Sequence, residues 1–430
     1  MQRALAPSEA AMAATGSPTV VGWTLHGGLD TGLLRAAVRE LARRTPVLSA
    51  RIVEGPDGLV LRRDPADPPV DLSFASDGWA PHDAPFLRPG DQVLRAVLHR
   101  DGLREHTLTL LAWHAVSDAA CVLALHRRLW RIHRELAAGI AEASPAESAG
   151  LPPSVEGRLL ARHSPADVAA YAARWSARLD ASQPAALVPR AAHDGRPGPA
   201  DGAHRHRFTL SARQTEALAR EARRRGASAN SLLCAVATTA VRDLLSPEAA
   251  QDDHAQLTCL IPVDLRSRLH PPLTADEFAF AASTASATVT VGPGTELGTT
   301  AAEIGRQVET ALDAGHAELE YLATAHMLHR LASAAVTVAV SNVTHSCDPP
   351  ALPAGLTATR AHVLTIPPGP VPTLFVSRHD KALRLDLVQP RAWYTREQAG
   401  RLADALRRTL TPVTGAPGVE DLNRPAPPAG

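Results

Sequence analysis

A histidine and an aspartate lie where an alternating strand gives way to a helix. Apolar and polar residues alternate over 105–113, which predicts a half-buried strand, and apolar residues at helical spacing over 119–136 predict a helix. His114 is therefore expected on the turn between them, with Asp118 four residues later. The Asp118 carboxylate can fold back toward the turn or pair with a group from elsewhere. A fixed, neutral imidazole on such a turn can accept a proton from an alcohol or an amine.

The bulk composition bounds the class of protein. A chain of 430 residues, 45% of them hydrophobic, is long enough for two hydrophobic cores. The 44 basic and 44 acidic residues cancel, and no basic block is dense enough to indicate nucleic-acid binding. Residues 1–16 lack the apolar core of a secretory signal, and no apolar run has the length of a membrane helix, so we expect a cytoplasmic protein. The four isolated cysteines are expected to be free, mostly buried thiols.

Periodicity and turn residues divide the chain into two halves of mixed α+β structure. Helices are predicted from Asp30 or Thr31, after Ala119 and after the capping box of Ser211 and Gln214, and a strong strand is predicted over 335–343. We expect five regions, which are a disordered N-terminus (1–17), a first subdomain (18–190), a linker (191–204), a second subdomain (205–412) and a flexible tail (413–430).

Four segments, in order, resemble one superfamily, which contains chloramphenicol acetyltransferase, the condensation domains of nonribosomal peptide synthetases and stand-alone O-acyltransferases. Its motif is His-His-x-x-x-Asp-Gly, which residues 113–119 match at the second His and at the Asp. The opening 28–48, the Pro-Val-Asp-Leu-Arg segment at 262–266 and the Ser-Asn strand end at 340–343 also agree. The resemblance is strongest to the phthiocerol/phthiodiolone dimycocerosyl transferase-like branch.

The resemblance implies a fold and a reaction. The fold would be two chloramphenicol-acetyltransferase-like α/β sandwich subdomains that form a V with a tunnel between them. His114 would be the general base that moves an acyl group from a CoA or acyl-carrier-protein thioester to a hydroxyl or amine acceptor. Asp118 would be structural, paired with Arg266 from the other half of the sequence. No bound cofactor or metal is expected, the thioester being a substrate, and a monomer active in natural-product or lipid biosynthesis is implied.

Other positions near the motif are candidates for contact with substrate or with the oxyanion formed during acyl transfer. Trp113 and Ser117 qualify by their place in the motif, and Ser341 and Asn342 qualify by position only. Two positions depart from the superfamily pattern. Trp113 replaces the first His, and its indole would narrow the tunnel or require a hydrogen-bond partner. Ala119 replaces the Gly, and would be strained if the site needs a positive φ.

Three functions are compatible with these residues. The first is acyl transfer, and the second is another proton-transfer reaction on a bound intermediate, such as cyclisation, dehydration or epimerisation. The third is a non-catalytic module that docks a carrier protein. These residues could also have no functional role. Arg266 could be a surface arginine, and Ser341 and Asn342 could simply end a strand. Three sets of residues have the types that bind metal ions, but none has convincing further ligands to complete a site. They are His204 with His206, His326 with His329, and His345 with Cys347 and Asp348.

Overall fold

The computed structural model describes residues 1–67, 69–102, 104–140, 150–182, 202–242, 244–245, 254–274, 277–331, 336–345, 347–415 and 420–421. Within these ranges the strands are β1 (Gln2–Ala4), β2 (Pro18–Gly27), β3 (Arg51–Gly55), β4 (Gly58–Arg62), β5 (Leu72–Phe74), β6 (Leu94–Arg100), β7 (Glu105–Trp113), β8 (Ala203–Leu210), β9 (Ala255–Asp264), β10 (Ala282–Val291), β11 (Val338–Asn342), β12 (Leu356–Thr365), β13 (Thr373–His379), β14 (Ala382–Pro390) and β15 (Glu420–Asp421). The α-helices are α1 (Pro7–Thr15), α2 (Thr31–Arg44), α3 (Ala119–Ala137), α4 (Glu156–Leu160), α5 (Pro165–Ser182), α6 (Ala212–Arg224), α7 (Ala229–Arg242), α8 (Leu297–Asp313), α9 (His316–Leu331) and α10 (Arg396–Thr414).

The chain forms two compact units, and neither is continuous in sequence. The first unit contains Met1–Ser164, Asp264–Ala282 and Ser346–Ile366. The second contains Pro165–Val263, Ser283–His345 and Pro367–Gly430. The mixed α+β class predicted from the sequence is confirmed, and the V-shaped arrangement with its tunnel stays a prediction of the resemblance.

The first unit is built on a five-stranded sheet in the order β12-β2-β7-β6-β5. Strand β2 pairs antiparallel with β7 on one side and with β12 on the other, although β12 lies more than 300 residues further along the chain. A separate three-stranded sheet has the order β1-β4-β3. The α2 helix begins where predicted, because the Asp30 side chain accepts a hydrogen bond from the Leu33 amide.

The second unit is built on a seven-stranded mixed sheet in the order β10-β9-β11-β13-β14-β8-β15. Strand β11 pairs in parallel with β9 and β13, and β13 and β14 form an antiparallel hairpin. Helix α7, most of whose residues are buried, lies in the core of this unit, beside α10 and the inner faces of the strands. The Ser211–Gln214 capping box forms as predicted at the start of α6.

The structure differs from the predicted domain boundaries at several points. Residues 1–17 are not disordered, because they form β1 and α1, and the Arg3 side chain holds Glu9 in a two-bond ion pair. The first unit takes two segments from the second half of the chain, so the boundary at 191–204 does not separate the units. Residues 191–201 and 422–430 lie outside the described ranges, whereas β8 already begins at Ala203 and α10 continues to Thr414.

The described residues also bear on the cysteines and on membrane insertion. The four cysteines are free and buried, as expected. None of the helices in the described ranges combines the length and the apolar character that crossing a bilayer requires.

Strand β12 belongs to the first unit although it is distant in sequence, so a substitution in its buried face should lower the stability of that unit. Leu364 on β12 is only 1% exposed and lies opposite Val20 in the sheet. We expect L364A to lower the free energy of unfolding by about 2–5 kcal/mol, because it leaves a cavity in that core. Denaturant unfolding measures the change, and L160A is the matched control because Leu160 is 49% exposed. Equal effects of the two substitutions would contradict the placement of β12.

Candidate active site

The backbone around His114 is held by hydrogen bonds to two other segments and by one bond within the turn. The Trp113 amide donates to the Val93 carbonyl at 3.1 Å, and the His114 amide donates to the Ser17 carbonyl at 3.2 Å. The Ser117 hydroxyl donates to the Trp113 carbonyl at 2.8 Å and closes the turn. The turn that carries His114 is therefore fixed at both ends before its side chain is considered.

One ring nitrogen of His114 is assigned as a donor by its partner. The Nδ1 atom lies 2.9 Å from the Ser117 carbonyl oxygen and 3.0 Å from the Thr19 hydroxyl. A carbonyl oxygen only accepts hydrogen bonds, so the neutral ring must carry its proton on Nδ1. The lone pair then lies on Nε2, which has no hydrogen-bond partner among the described residues. This is the tautomer that a proton acceptor at Nε2 requires.

The surroundings of the ring favour its neutral form. Burial lowers the pKa of His114 below its usual 6.5, while the hydrogen bond to Ser117 and the charge of Asp118 act in the opposite direction. The Phe280 ring packs edge-on against the imidazole, with the two ring centroids 5.3 Å apart. The imidazole is therefore unprotonated at neutral pH, and one side of it is apolar.

Asp118 starts helix α3 and holds Arg266. Its carboxylate accepts hydrogen bonds from both terminal nitrogens of Arg266, at 2.8 and 2.9 Å. It also accepts from the amide of Cys121, as the N-cap of α3, and from the amide of Ala281. Burial by itself would lower the pKa of Arg266, but Asp118 raises it above its usual value. The aspartate therefore anchors the turn and makes no hydrogen bond to the imidazole.

The ion pair with Asp118 joins two parts of one unit. The sequence resemblance implies that Arg266 comes from the other half of the chain, and Arg266 does lie in that half of the sequence. In space, however, Arg266 lies in the segment Asp264–Ala282, which belongs to the first unit. The pair therefore lies within one unit, because the segment that contains Arg266 packs in the unit that carries His114.

Trp113 and Ser117 are fully buried, so they offer no exposed surface to a substrate in this structure. Ser117 acts through its hydroxyl and its carbonyl, which hold the turn and the imidazole. The indole nitrogen of Trp113 has no hydrogen-bond partner in the described residues. The strain expected at Ala119 is not found, since the residue is the first of helix α3 and has no positive φ.

Ser341 and Asn342 end strand β11 in the second unit, whereas His114 lies in the first. The Asn342 amide donates to the Asn230 side chain and its oxygen accepts from the Thr344 amide, so much of it is used in local structure. Ser341 is half-buried, and its hydroxyl has no hydrogen-bond partner among the described residues. Of the two, Ser341 has the group that is available to a ligand.

Sequence reasoning missed three residues of this site. Thr19 lies opposite Ala112 where β2 pairs with β7, and Phe280 and Ala281 lie just before β10. No local pattern marks them, because their importance follows from pairing across long stretches of chain. In the described part of the chain, no group of three or more His, Cys, Asp and Glu side chains has the arrangement of a metal site.

One known family model matches part of the chain. Residues 199–411 match the model of the phthiocerol/phthiodiolone dimycocerosyl transferase C-terminus. No curated protein sequence matches the chain significantly.

Several solved structures share the fold over nearly the whole chain. Polyketide synthase associated protein 5 from Mycobacterium tuberculosis is 21% identical, with a TM-score of 0.73 over 96% of this chain and 98% of that one. The first condensation domain of the CDA synthetase is 17% identical, with a TM-score of 0.72 over 98% of both chains. The TRI3 trichothecene 15-O-acetyltransferase from Fusarium sporotrichioides is 11% identical, with a TM-score of 0.74 over 96% of this chain and 95% of that one.

The chain therefore shares the fold of these solved structures, which include a condensation domain and an acetyltransferase.

The Asp118–Arg266 pair predicts a marked loss of stability when one partner is removed. D118N leaves the largely buried Arg266 guanidinium without its main counter-charge, and we expect the free energy of unfolding to fall by about 3–5 kcal/mol. D264N is the matched control, because Asp264 also contacts Arg266 but is 54% exposed, and we expect a loss below about 1 kcal/mol. Chemical denaturation of both variants measures the difference. A D118N protein as stable as D264N would show that the pair does not hold the turn.

Proposed function

We propose that the protein is an acyltransferase in which Nε2 of His114 is the general base. The observation that carries this proposal is the geometry of the ring, whose Nδ1 proton is bound to the Ser117 carbonyl while Nε2 keeps its lone pair. The match of residues 199–411 to a transferase family supports it independently. Ester or amide formation from a thioester needs one such base, because the thioester is already activated toward a nucleophile.

The proposed step transfers one proton twice. Nε2 of His114 takes the proton of the acceptor hydroxyl or amine as its oxygen or nitrogen forms a bond to the thioester carbonyl carbon. The tetrahedral intermediate carries a negative charge on the former carbonyl oxygen, which hydrogen-bond donors must stabilise. The carbon–sulfur bond then breaks, and the imidazolium returns the proton to the leaving thiolate. The products are the ester or amide and a free thiol.

The surrounding residues have supporting roles in this proposal. Ser117 and Thr19 hold the tautomer and the orientation of the ring, and Asp118 with Arg266 fixes the turn below it. Ser341 stays a candidate for a substrate or oxyanion contact by its position in the sequence alone. The acyl donor is proposed to be a CoA or acyl-carrier-protein thioester, in line with the polyketide synthase and the synthetase condensation domain that the names of two similar structures print.

Replacement of His114 tests the proposal. Purified protein is incubated with a panel of acyl-CoA and acyl-carrier-protein thioesters and with candidate alcohols and amines, and thiol release and product mass are recorded. We expect H114A to lower kcat/KM by about 10²–10⁴-fold, because it removes the base. H26A is the control, because His26 is exposed on β2, and should retain the wild-type rate.

Each outcome of that experiment points to one function. Acyl transfer by H114A at the wild-type rate would refute the role of the histidine. A product of unchanged mass would indicate cyclisation or epimerisation, and loss of water would indicate dehydration. Binding of a carrier protein without thioester consumption would indicate a docking module.

The pH profile tests the protonation state of the base. Because burial lowers the pKa of His114 below 6.5, the imidazole loses its proton at a lower pH than a free histidine does. The base form is therefore present at neutral pH, and kcat/KM should fall only as the pH drops through a value below 6.5. H26A should show the same acid limb. An acid limb above that usual value would mean that the imidazole is charged at rest.

A further inference from the structure

The second unit contains a cleft of about 370 Å³ beside the edge strand β10. Side chains from α5, β9, β10 and α8 line it, and the residues that matter here are Trp175, Arg178, Thr258, Ser286, Thr288 and Gln307. All of these described lining residues lie in the second unit. The cleft includes none of the residues proposed above for acyl transfer.

Hydroxyl groups form one wall of the cleft. Thr258 and Thr288 lie on adjacent strands, with their hydroxyl oxygens 2.9 Å apart in a hydrogen bond. One of the two donates to the other, so the accepting hydroxyl still has its own hydrogen to donate. Ser286 projects from the same face of β10, two residues from Thr288, and its hydroxyl has no partner among the described residues. This wall therefore presents two hydroxyl hydrogens to a ligand.

Gln307 fixes the strand that carries two of these hydroxyls. Its side-chain oxygen accepts from the Thr288 amide and its nitrogen donates to the Thr288 carbonyl, both at 2.9 Å. The amide side chain thus occupies the free edge of β10 as a neighbouring strand would. The hydroxyl positions are consequently built into the sheet rather than carried on a loop.

Arg178 supplies the positive charge of the cleft. It is exposed, follows Trp175 by one helical turn, and hydrogen-bonds the Tyr171 side chain through part of its guanidinium. Its charge also acts on Glu320, whose two oxygens already accept from Tyr171 and Thr284. The guanidinium therefore keeps donors for a ligand.

The donor set defines the ligand chemistry. The cleft is lined by a guanidinium and hydroxyl donors, and no carboxylate is among the lining residues. A tetrahedral oxyanion with several acceptor oxygens matches such a set, and guanidinium groups pair with phosphate through two parallel hydrogen bonds. We propose that this cleft binds the phosphate group of a phosphorylated ligand through Arg178, Ser286 and the Thr258–Thr288 hydroxyl pair.

Binding of inorganic phosphate to the full chain tests this site without any acyl donor, so the outcome does not depend on the role of His114. Isothermal titration at low ionic strength should show saturable binding to the wild type. R178Q should weaken binding at least about tenfold, because a charge-assisted pair is lost. S286A should weaken it at least about threefold. R174Q is the matched control, because Arg174 is exposed on the same helix, carries the same charge and does not line the cleft.

The results distinguish a specific phosphate site from a general effect of charge. Equal binding by R178Q and R174Q would show a general charge effect and would overturn the site, as would the absence of saturable binding to the wild type. Circular dichroism of each variant excludes a folding defect as the cause. A parallel titration with coenzyme A identifies the source of the phosphate. If coenzyme A binds more tightly than inorganic phosphate, and R178Q weakens that binding too, the ligand is a nucleotide.

Discussion

The carboxylate of Asp118 collects hydrogen bonds from three places in the chain, and the geometry of the candidate active site depends on it. It caps helix α3 through the Cys121 amide, receives both terminal nitrogens of Arg266 and accepts from the Ala281 amide. Charge-assisted, two-bond pairs of this kind are among the stronger polar interactions in proteins. The segment Asp264–Ala282 is thereby held against the turn that carries His114, and Phe280 of that segment packs against the imidazole.

Asp118 and its neighbour Ser117 have different roles in this arrangement. Asp118 fixes the backbone, but it makes no hydrogen bond to the ring, whose orientation is set by the Ser117 carbonyl and the Thr19 hydroxyl. In a Ser-His-Asp triad the carboxylate itself would bind Nδ1 and stabilise the charged ring. Here burial lowers the pKa of the imidazole and outweighs the opposing effect of the Ser117 carbonyl, so the ring is unprotonated at neutral pH. Such a base suits a substrate that is already activated, because no strong nucleophile has to be generated on the enzyme.

Local signals in the sequence were sufficient for the strand, turn and helix around His114 and for the cap at Asp118. They were also sufficient for the helices at 31–44 and 212–224, where apolar spacing and capping residues act within one element. They could not reveal the return of 264–282 and 346–366 to the first unit, since nothing near β12 specifies that it pairs with β2. Thr19 was missed for the same reason, because its place beside His114 is set by the pairing of β2 with β7. Long-range strand pairing therefore determines the part of the site that periodicity and motif spacing cannot predict.

The central claim is that the resting His114 is a neutral ring with its proton on Nδ1. Nitrogen-15 NMR of the full chain labelled at histidine measures this directly, with H114A used to assign the resonances. At neutral pH the account predicts a protonated Nδ1 and an unprotonated Nε2 for His114. A proton on Nε2, or a doubly protonated ring at that pH, would contradict it.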